Sequence, residues 1–135
     1  MKDAQHFNAM SKDTLVGLLG ITVADISDAS VEAEFTVSAA HLAPNGYLHA
    51  GSVVTLADTA CGHGCMANLP DGAASFTTIE LKSNHLGTAR AGVVHCVATP
   101  VHMGRTTQVW DAKVMHRETG KTIAIFRCTQ MILYP

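Results

Sequence analysis

Charged residues are scarce in this chain, and neither sign is in marked excess. Asp, Glu, Lys and Arg make up 15% of the 135 residues, and the formal net charge is −2. Without a basic excess there is no general field to attract nucleic acid or an anionic membrane. No apolar run is long enough to cross a bilayer, and the polar segment 1–6 has no signal-peptide core. We therefore expect a cytoplasmic protein whose partners include neither nucleic acid nor membrane.

Several site signatures are also missing. The sequence has no GxSxG nucleophile elbow and no Walker-type phosphate loop, which excludes the serine-hydrolase and nucleotide-hydrolase classes. Cys61, His63 and Cys65 do not provide the matched ligand pairs of a structural zinc site. We expect the cysteines to pack as small apolar side chains. For His63 we expect a surface or core position, with a place in the wall of a substrate pocket as the alternative. Neither a metal nor a cofactor is predicted.

What the chain does have is apolar content and a regular pattern of elements. Apolar residues make up 47% of it, enough for one domain over residues 1–135 with surface left for a subunit interface. The pattern predicts a short helix, a hairpin, a long buried helix and then four strands that form a meander. This predicts an α+β fold in which an antiparallel sheet curls around the long helix. The predicted ranges are, in order, 11–19, 21–26 with 31–37, 49–67, 75–85, 92–102, 106–116 and 122–133.

Asp58 is out of place in the long predicted helix. It is the only charged residue between Glu34 and Asp71. Burying an uncompensated carboxylate is costly, and burial raises its pKa toward the range of a general base. Position alone leaves two interpretations open, namely a catalytic acid or a structural acid paired with a cation or a backbone group.

The start of the same helix has a different character. The first amides of a helix are unpaired and favour negative charge, and the small residues Ala50 and Gly51 allow a carbonyl oxygen to approach them. An ordinary Asn45-Gly46 turn followed by close packing would also explain these residues. Asp58 lies roughly 13 Å along the axis from His49, too far to reach the same atom. This distance favours a homodimer with shared active sites.

Four segments of the sequence together resemble a known family. The segment 49–60 resembles the "HGG…LADTA" segment of hotdog-fold acyl-CoA thioesterases, above all the phenylacetate-pathway and 4-hydroxybenzoyl-CoA groups. The likeness continues in the correct order through 80–86, 89–92 and 101–110. It implies an enzyme with the hotdog fold that hydrolyses an aryl- or medium-chain acyl-CoA to the free acid and CoA. It also implies dimers, often dimers of dimers, with the active site between two subunits.

The resemblance also implies roles for individual residues. Asp58 corresponds to the general base or nucleophile, and Ala50, preceded by His49, to the residue whose N–H polarises the thioester carbonyl. Thr78 corresponds to a position near the attacking water. The positions that usually hold the CoA phosphates and the pantetheine arm correspond to His85, Arg90, Gly104 and Arg105.

Two positions depart from the family pattern. Relatives usually have Gly-Gly after the histidine, where this chain has Ala50-Gly51, yet a methyl group leaves the N–H donor in place. Many relatives carry an Asn or Gln where this chain has Ala43, and we expect Asn45 to replace that amide. Three alternatives stay open: a hotdog dehydratase or hydratase that uses His49 with an acid, a non-catalytic acyl-CoA binding protein, and a structural dimer in which Asp58 has a salt-bridge partner.

Overall fold

Six antiparallel strands wrap around one long helix, as predicted from the sequence pattern. The computed structural model describes residues 2–135 and confirms the α+β hotdog architecture. No helix in residues 2–135 is long and apolar enough to span a membrane. The elements are α1 (Ala4–Ser11), α2 (Leu15–Leu18), β1 (Thr22–Ile26), β2 (Val31–Thr36), α3 (Ala50–Ala67), β3 (Ser75–His85), β4 (Val93–Met103), β5 (Thr107–His116) and β6 (Thr122–Leu133).

The strand order corrects one prediction. The sheet runs β1-β2-β4-β5-β6-β3, so the hairpin and the β4-β5-β6 meander form as expected, but β3 does not join the meander. It pairs with β6 at the far edge, where Phe76 lies opposite Ile132. The 18-residue helix α3 spans about 27 Å, and the chain therefore leaves β2 at one end of the sheet and re-enters at the other. Alternation of side chains predicts a strand but not its neighbour.

Helix α3 fills the concave face of the sheet. Its buried residues, among them Val53, Gly62 and His63, lie on several sides of it, which is why its apolar pattern lacks a single stripe. A Cβ at Gly64 would lie 2.6 Å from the ring of Trp110, so glycine is required for the helix to pack against β5. Trp110 is fully buried, so its indole is part of the core.

The N-terminal helix was misplaced by the sequence pattern. Instead of one helix over 11–19, α1 ends at Ser11 and α2 covers a single turn. Asp3 caps α1 by accepting the N–H of His6 at 2.9 Å. A Cβ at Gly17 would lie 2.1 Å from the carbonyl oxygen of Lys12, so the tight turn between the helices requires glycine.

A side-chain clamp fixes α1 to the first strand. The amide of Asn8 donates to the carbonyl of Val23 at 2.9 Å and accepts the N–H of Val23 at 2.7 Å. Phe7, one residue earlier, is fully buried. Both contacts hold α1 over the middle of α3, and α1 thereby becomes part of the wall around Asp58.

Candidate active site

The Asp58 carboxyl group lies half-buried in the middle of α3 and has no partner among residues 2–135. Its Oδ1 atom is buried and accepts no hydrogen bond from residues 2–135. The ion pairs in this part of the chain join other residues, so the structure offers Asp58 no salt bridge. Leaving a buried polar group unpaired costs about 1–3 kcal/mol, and burial raises the pKa of Asp58. No hydrogen bond or ion pair among residues 2–135 therefore explains a carboxylate at this position.

A cavity of about 380 Å³ opens beside this carboxylate, between α3 and β3. Its volume falls in the range of small-molecule sites. Most of its surface is apolar, and its few polar groups include Asp58 itself. The lining residues are Met10, Asp58, Thr59, Gly62, His63, Met66, Ser75, Phe76 and Thr78. Asp58 and Thr78, both predicted as site residues, therefore face one cavity.

The hydroxyl of Thr78 has a fixed orientation. Its O–H donates to Oε1 of Gln130 at 2.7 Å, so its lone pairs are left to accept a hydrogen bond. Gln130 is fully buried on β6, where the neighbouring inward positions Phe126, Cys128 and Ile132 are apolar. Sequence reasoning missed Gln130, although an amide among inward apolar residues of a strand was a readable signal. The β3 pairing is irregular between Thr78 and Glu80, and bulges often lie next to active sites.

His63 belongs to the cavity rather than to an ordinary surface or core position. It is 9% exposed, lines the cavity, and its Nε2 has no hydrogen-bond partner in residues 2–135. The ring of Phe7 packs against it with centroids 4.5 Å apart. Burial, with a smaller contribution from His6, lowers the pKa of His63 to about 4. The imidazole is therefore uncharged at neutral pH.

The first turn of α3 forms a second polar feature. His49 caps the helix, and its Nδ1 accepts the N–H of Gly51 at 2.7 Å. The N–H of Ser52 bonds to the carbonyl of His49. Within residues 2–135 the N–H of Ala50 has no acceptor, and this residue is exposed. Of the two amides predicted to polarise a carbonyl, the geometry thus favours Ala50, since the Gly51 amide is already bonded.

Backbone contacts keep this helix start in place. The carbonyl of His41 accepts both the N–H of His49 and the hydroxyl of Ser52, each at 2.9 Å. The ring of His41 stacks on Phe35 with centroids 4.0 Å apart, which ties the loop to the core. Asn45 is exposed and its Oδ1 accepts the N–H of Tyr47 at 3.1 Å. The side-chain NH₂ of Asn45 is left for another acceptor.

The predicted CoA-binding residues lie outside the cavity. Arg90 stacks its guanidinium on the ring of Tyr47, 4.4 Å from the centroid, and so lies beside the loop that leads into α3. His85 is exposed at the end of β3. Gly104 and Arg105 form the turn between β4 and β5, where the carbonyl of Arg105 accepts the hydroxyl of Tyr134. The structure therefore associates only Arg90 directly with the start of α3.

The two polar features are separate within one chain. The residues around Asp58 do not include those of the loop 45–51. Eight residues separate Ala50 from Asp58, about 12 Å along the helix. A thioester carbonyl at the amide of Ala50 is out of reach of the same chain's Asp58.

Comparison with known proteins identifies the class to which this fold and site belong. The family model of the thioesterase superfamily matches residues 45–123, and the chain belongs to this family. It is a thioester hydrolase with the hotdog fold, as the resemblance implied.

Individual relatives agree over nearly the whole chain. The chain is 33% identical over 132 residues to the 1,4-dihydroxy-2-naphthoyl-CoA hydrolase of Escherichia coli, which covers 96% of this chain and 93% of the relative. The hydrolase of the same name from Listeria monocytogenes is 33% identical over 111 residues, 82% of this chain and 89% of the relative. A crystal structure of a mutant of thioesterase PA1618 from Pseudomonas aeruginosa superimposes with a TM-score of 0.93 at 32% identity, covering 98% of this chain and 95% of that one.

Proposed function

We propose that the protein hydrolyses an aryl- or medium-chain acyl-CoA to the free acid and CoA. The observation that carries this proposal is the unpartnered carboxyl of Asp58 at an apolar cavity large enough for an acyl group. Family membership supplies the reaction class, and two similar proteins are named as hydrolases of a CoA thioester. The acyl group occupies the cavity, and the CoA moiety extends along the protein surface, where Arg90 contributes a cation.

The chemistry follows from the two polar features. As a general base, the Asp58 carboxylate removes a proton from water as the water oxygen attacks the thioester carbonyl. The Ala50 N–H donates to the developing oxyanion. When the C–S bond breaks, the proton held by Asp58 passes to the CoA thiolate. Alternatively the carboxylate attacks directly, CoA leaves, and water opens the resulting anhydride. In the first route Thr78 accepts a hydrogen bond from the attacking water.

Both features act together only across two subunits. We propose a homodimer in which Asp58 of one subunit works with the amide of the partner subunit's Ala50. Within residues 2–135 strand β3 pairs only with β6, which leaves its outer edge open, and Ile79 and Leu81 on it are 52% and 43% exposed. Open apolar edges pair readily with another strand. A second copy at this edge completes the site, and a further pairing of dimers gives a tetramer.

The decisive experiment is Asp58→Asn in a thiol-release assay over a panel of acyl-CoAs. We expect kcat to fall by roughly 10²–10⁴-fold, the usual contribution of a positioned base. Asp71→Asn is the matched control, because Asp71 is an exposed loop residue outside the cavity, and it should retain wild-type turnover. Near-normal kcat in the Asp58 variant would contradict the assignment.

The same panel separates the alternatives. Hydration of an enoyl thioester without thiol release would identify a dehydratase or hydratase. Tight acyl-CoA binding by the wild-type protein without thiol release would identify a non-catalytic binding protein. A wild-type protein that neither binds nor turns over any acyl-CoA would leave the structural-dimer interpretation.

A further inference from the structure

The polar groups of the cavity divide into two sets. Asp58 and Thr78 belong to the proposed reaction, whereas His63 has no part in it. His63 follows Asp58 by five residues on α3, which places it about 7.5 Å further along the helix axis. Both residues line the cavity. His63 therefore lies where the distal part of a bound acyl group would be.

Its surroundings leave this imidazole unused within the chain. The side chain is nine-tenths buried, and Nε2 has no partner among residues 2–135. Phe7 packs on the ring and restricts its rotation. A buried polar nitrogen without a partner is normally bonded by an ordered water or a ligand. The position of His63 in a cavity wall makes a ligand group a suitable partner.

The rest of the wall restricts the chemistry of that ligand. Met10, Met66 and Phe76 are apolar, and the lining includes no Lys or Arg. A Cβ at Gly62 would lie 3.2 Å from the edge of the Phe76 ring, so this aromatic side chain packs directly against the helix there. Such a wall favours an apolar acyl body and offers nothing to balance a distal carboxylate. A neutral imidazole can donate or accept one hydrogen bond.

We propose that His63 is a specificity-determining residue that hydrogen-bonds an uncharged polar substituent, a hydroxyl or keto oxygen, on an aryl acyl group. This inference rests on the proposed acyl-CoA hydrolysis but concerns only the distal end of the cavity. A hydroxyl or keto substituent loses its hydrogen bond to water when the acyl group enters the cavity. A hydrogen bond to His63 replaces the one that was lost. An unsubstituted ring leaves the imidazole unpaired, so the site discriminates against it.

The test compares benzoyl-CoA with its three monohydroxy isomers in the wild type, His63→Leu and His63→Gln. We expect the wild type to prefer one hydroxylated isomer by at least about tenfold in kcat/KM, the effect of one buried hydrogen bond. His63→Leu should bring that ratio to within about twofold of unity, and His63→Gln, which keeps a donor and an acceptor, should retain part of it. His95→Leu, a histidine on β4 outside the cavity, should keep the wild-type ratio.

Binding of inert thioether analogues separates this proposal from the proposed function. The Kd of phenacyl-CoA and of its hydroxylated forms, measured by calorimetry, does not depend on turnover. A Kd preference that His63→Leu abolishes, in a protein that hydrolyses none of these thioesters, would support the role of His63 and reject the proposed hydrolysis of aryl-CoA substrates. Hydrolysis without any preference in the wild type, or with the same preference in the folded His63→Leu and His63→Gln variants, would overturn the role of His63.

Discussion

The first turn of α3 and the middle of the same helix differ in how far they are buried and in which groups they leave unpaired. Its first turn is exposed, held by the carbonyl of His41, and presents the open N–H of Ala50 to solvent. Its middle is enclosed by the sheet and α1, and there Asp58 Oδ1 and His63 Nε2 have no hydrogen-bond partner in the described part of the chain. The role proposed for the exposed end depends on backbone dipoles that every helix start has. The roles proposed for Asp58 and His63 depend on side chains that have no partner among residues 2–135.

Apart from Asp58→Asn, the largest effect on kcat is expected from removing the N–H of Ala50 at the exposed end of α3. Ala50→Pro deletes the donor, and proline is favoured at the first position of a helix. His49 has φ −68° and ψ 132°, the extended conformation that a residue before proline prefers. We expect the fold to persist while kcat falls by about 10²–10³-fold, as for other oxyanion donors. Ala50→Ser, which retains the N–H, is the control.

Mixing two inactive variants tests whether the Ala50 amide and the Asp58 carboxyl act together across two subunits. Ala50→Pro and Asp58→Asn subunits refolded together in equal amounts should regain about one quarter of wild-type activity. Half of the dimers are then mixed, and each mixed dimer has one intact site of two. No recovery from a mixture proven to contain mixed dimers would place both groups in one chain.

The pH dependence reports on the buried half. Because burial raises the pKa of Asp58, the acidic limb of kcat/KM should lie above the ordinary carboxyl range of about 4. Below that limb the rate should fall about tenfold per pH unit, since only the ionised form acts as base or nucleophile. The measurement is a pH profile on a substrate that does not itself titrate. An acidic limb at the ordinary value would mean that Asp58 is solvated in the working enzyme.

A smaller effect on kcat is expected from replacing Gln130, whose buried side-chain amide accepts the hydroxyl of Thr78. Gln130→Leu removes the acceptor of the Thr78 hydroxyl, which is then free to rotate and no longer keeps its lone pairs toward the cavity. One hydrogen bond of about 1 kcal/mol corresponds to a loss of about fivefold in kcat. Gln130→Glu, which restores an acceptor, should recover part of the rate. Equal losses in both variants, with KM unchanged, would contradict the positioning role.

The smallest effect concerns stability. A raised pKa in the folded state means that ionising Asp58 costs the folded protein more than the unfolded chain. This penalty is absent below the ordinary Asp range and grows as pH rises toward the folded-state pKa. Asp58→Asn should therefore raise the free energy of unfolding at pH 7, by about 0.5–1 kcal/mol after discounting for the half-exposed side chain, and not at pH 3. Denaturant unfolding at both pH values measures it.

The sequence pattern predicted features that depend on local alternation or on a charge in an apolar run. The bounds of β3 and β6 agree with the predicted 75–85 and 122–133, and Asp58 stood out because nothing charged surrounds it. The sequence pattern did not predict helix α1, because only two of its residues, Phe7 and Ser11, are buried, and two are too few to form an apolar stripe. The roles of Gln130 and His63 depend on β3 crossing to β6 and on α1 folding over α3. Those contacts join residues distant in sequence.

The Asn8 clamp on Val23 has a consequence for how such enzymes diversify. It anchors a helix that supplies Met10 to the cavity and Phe7 to the ring of His63, and that helix precedes the span 45–123 matched by the family model. On the proposed function, the reacting groups and part of the acyl pocket are encoded in separate stretches of the chain. Substitutions in the first dozen residues would then change the preference for an acyl group and leave Asp58 and Ala50 in place. The preference for a substrate and the reaction itself would be separately inheritable.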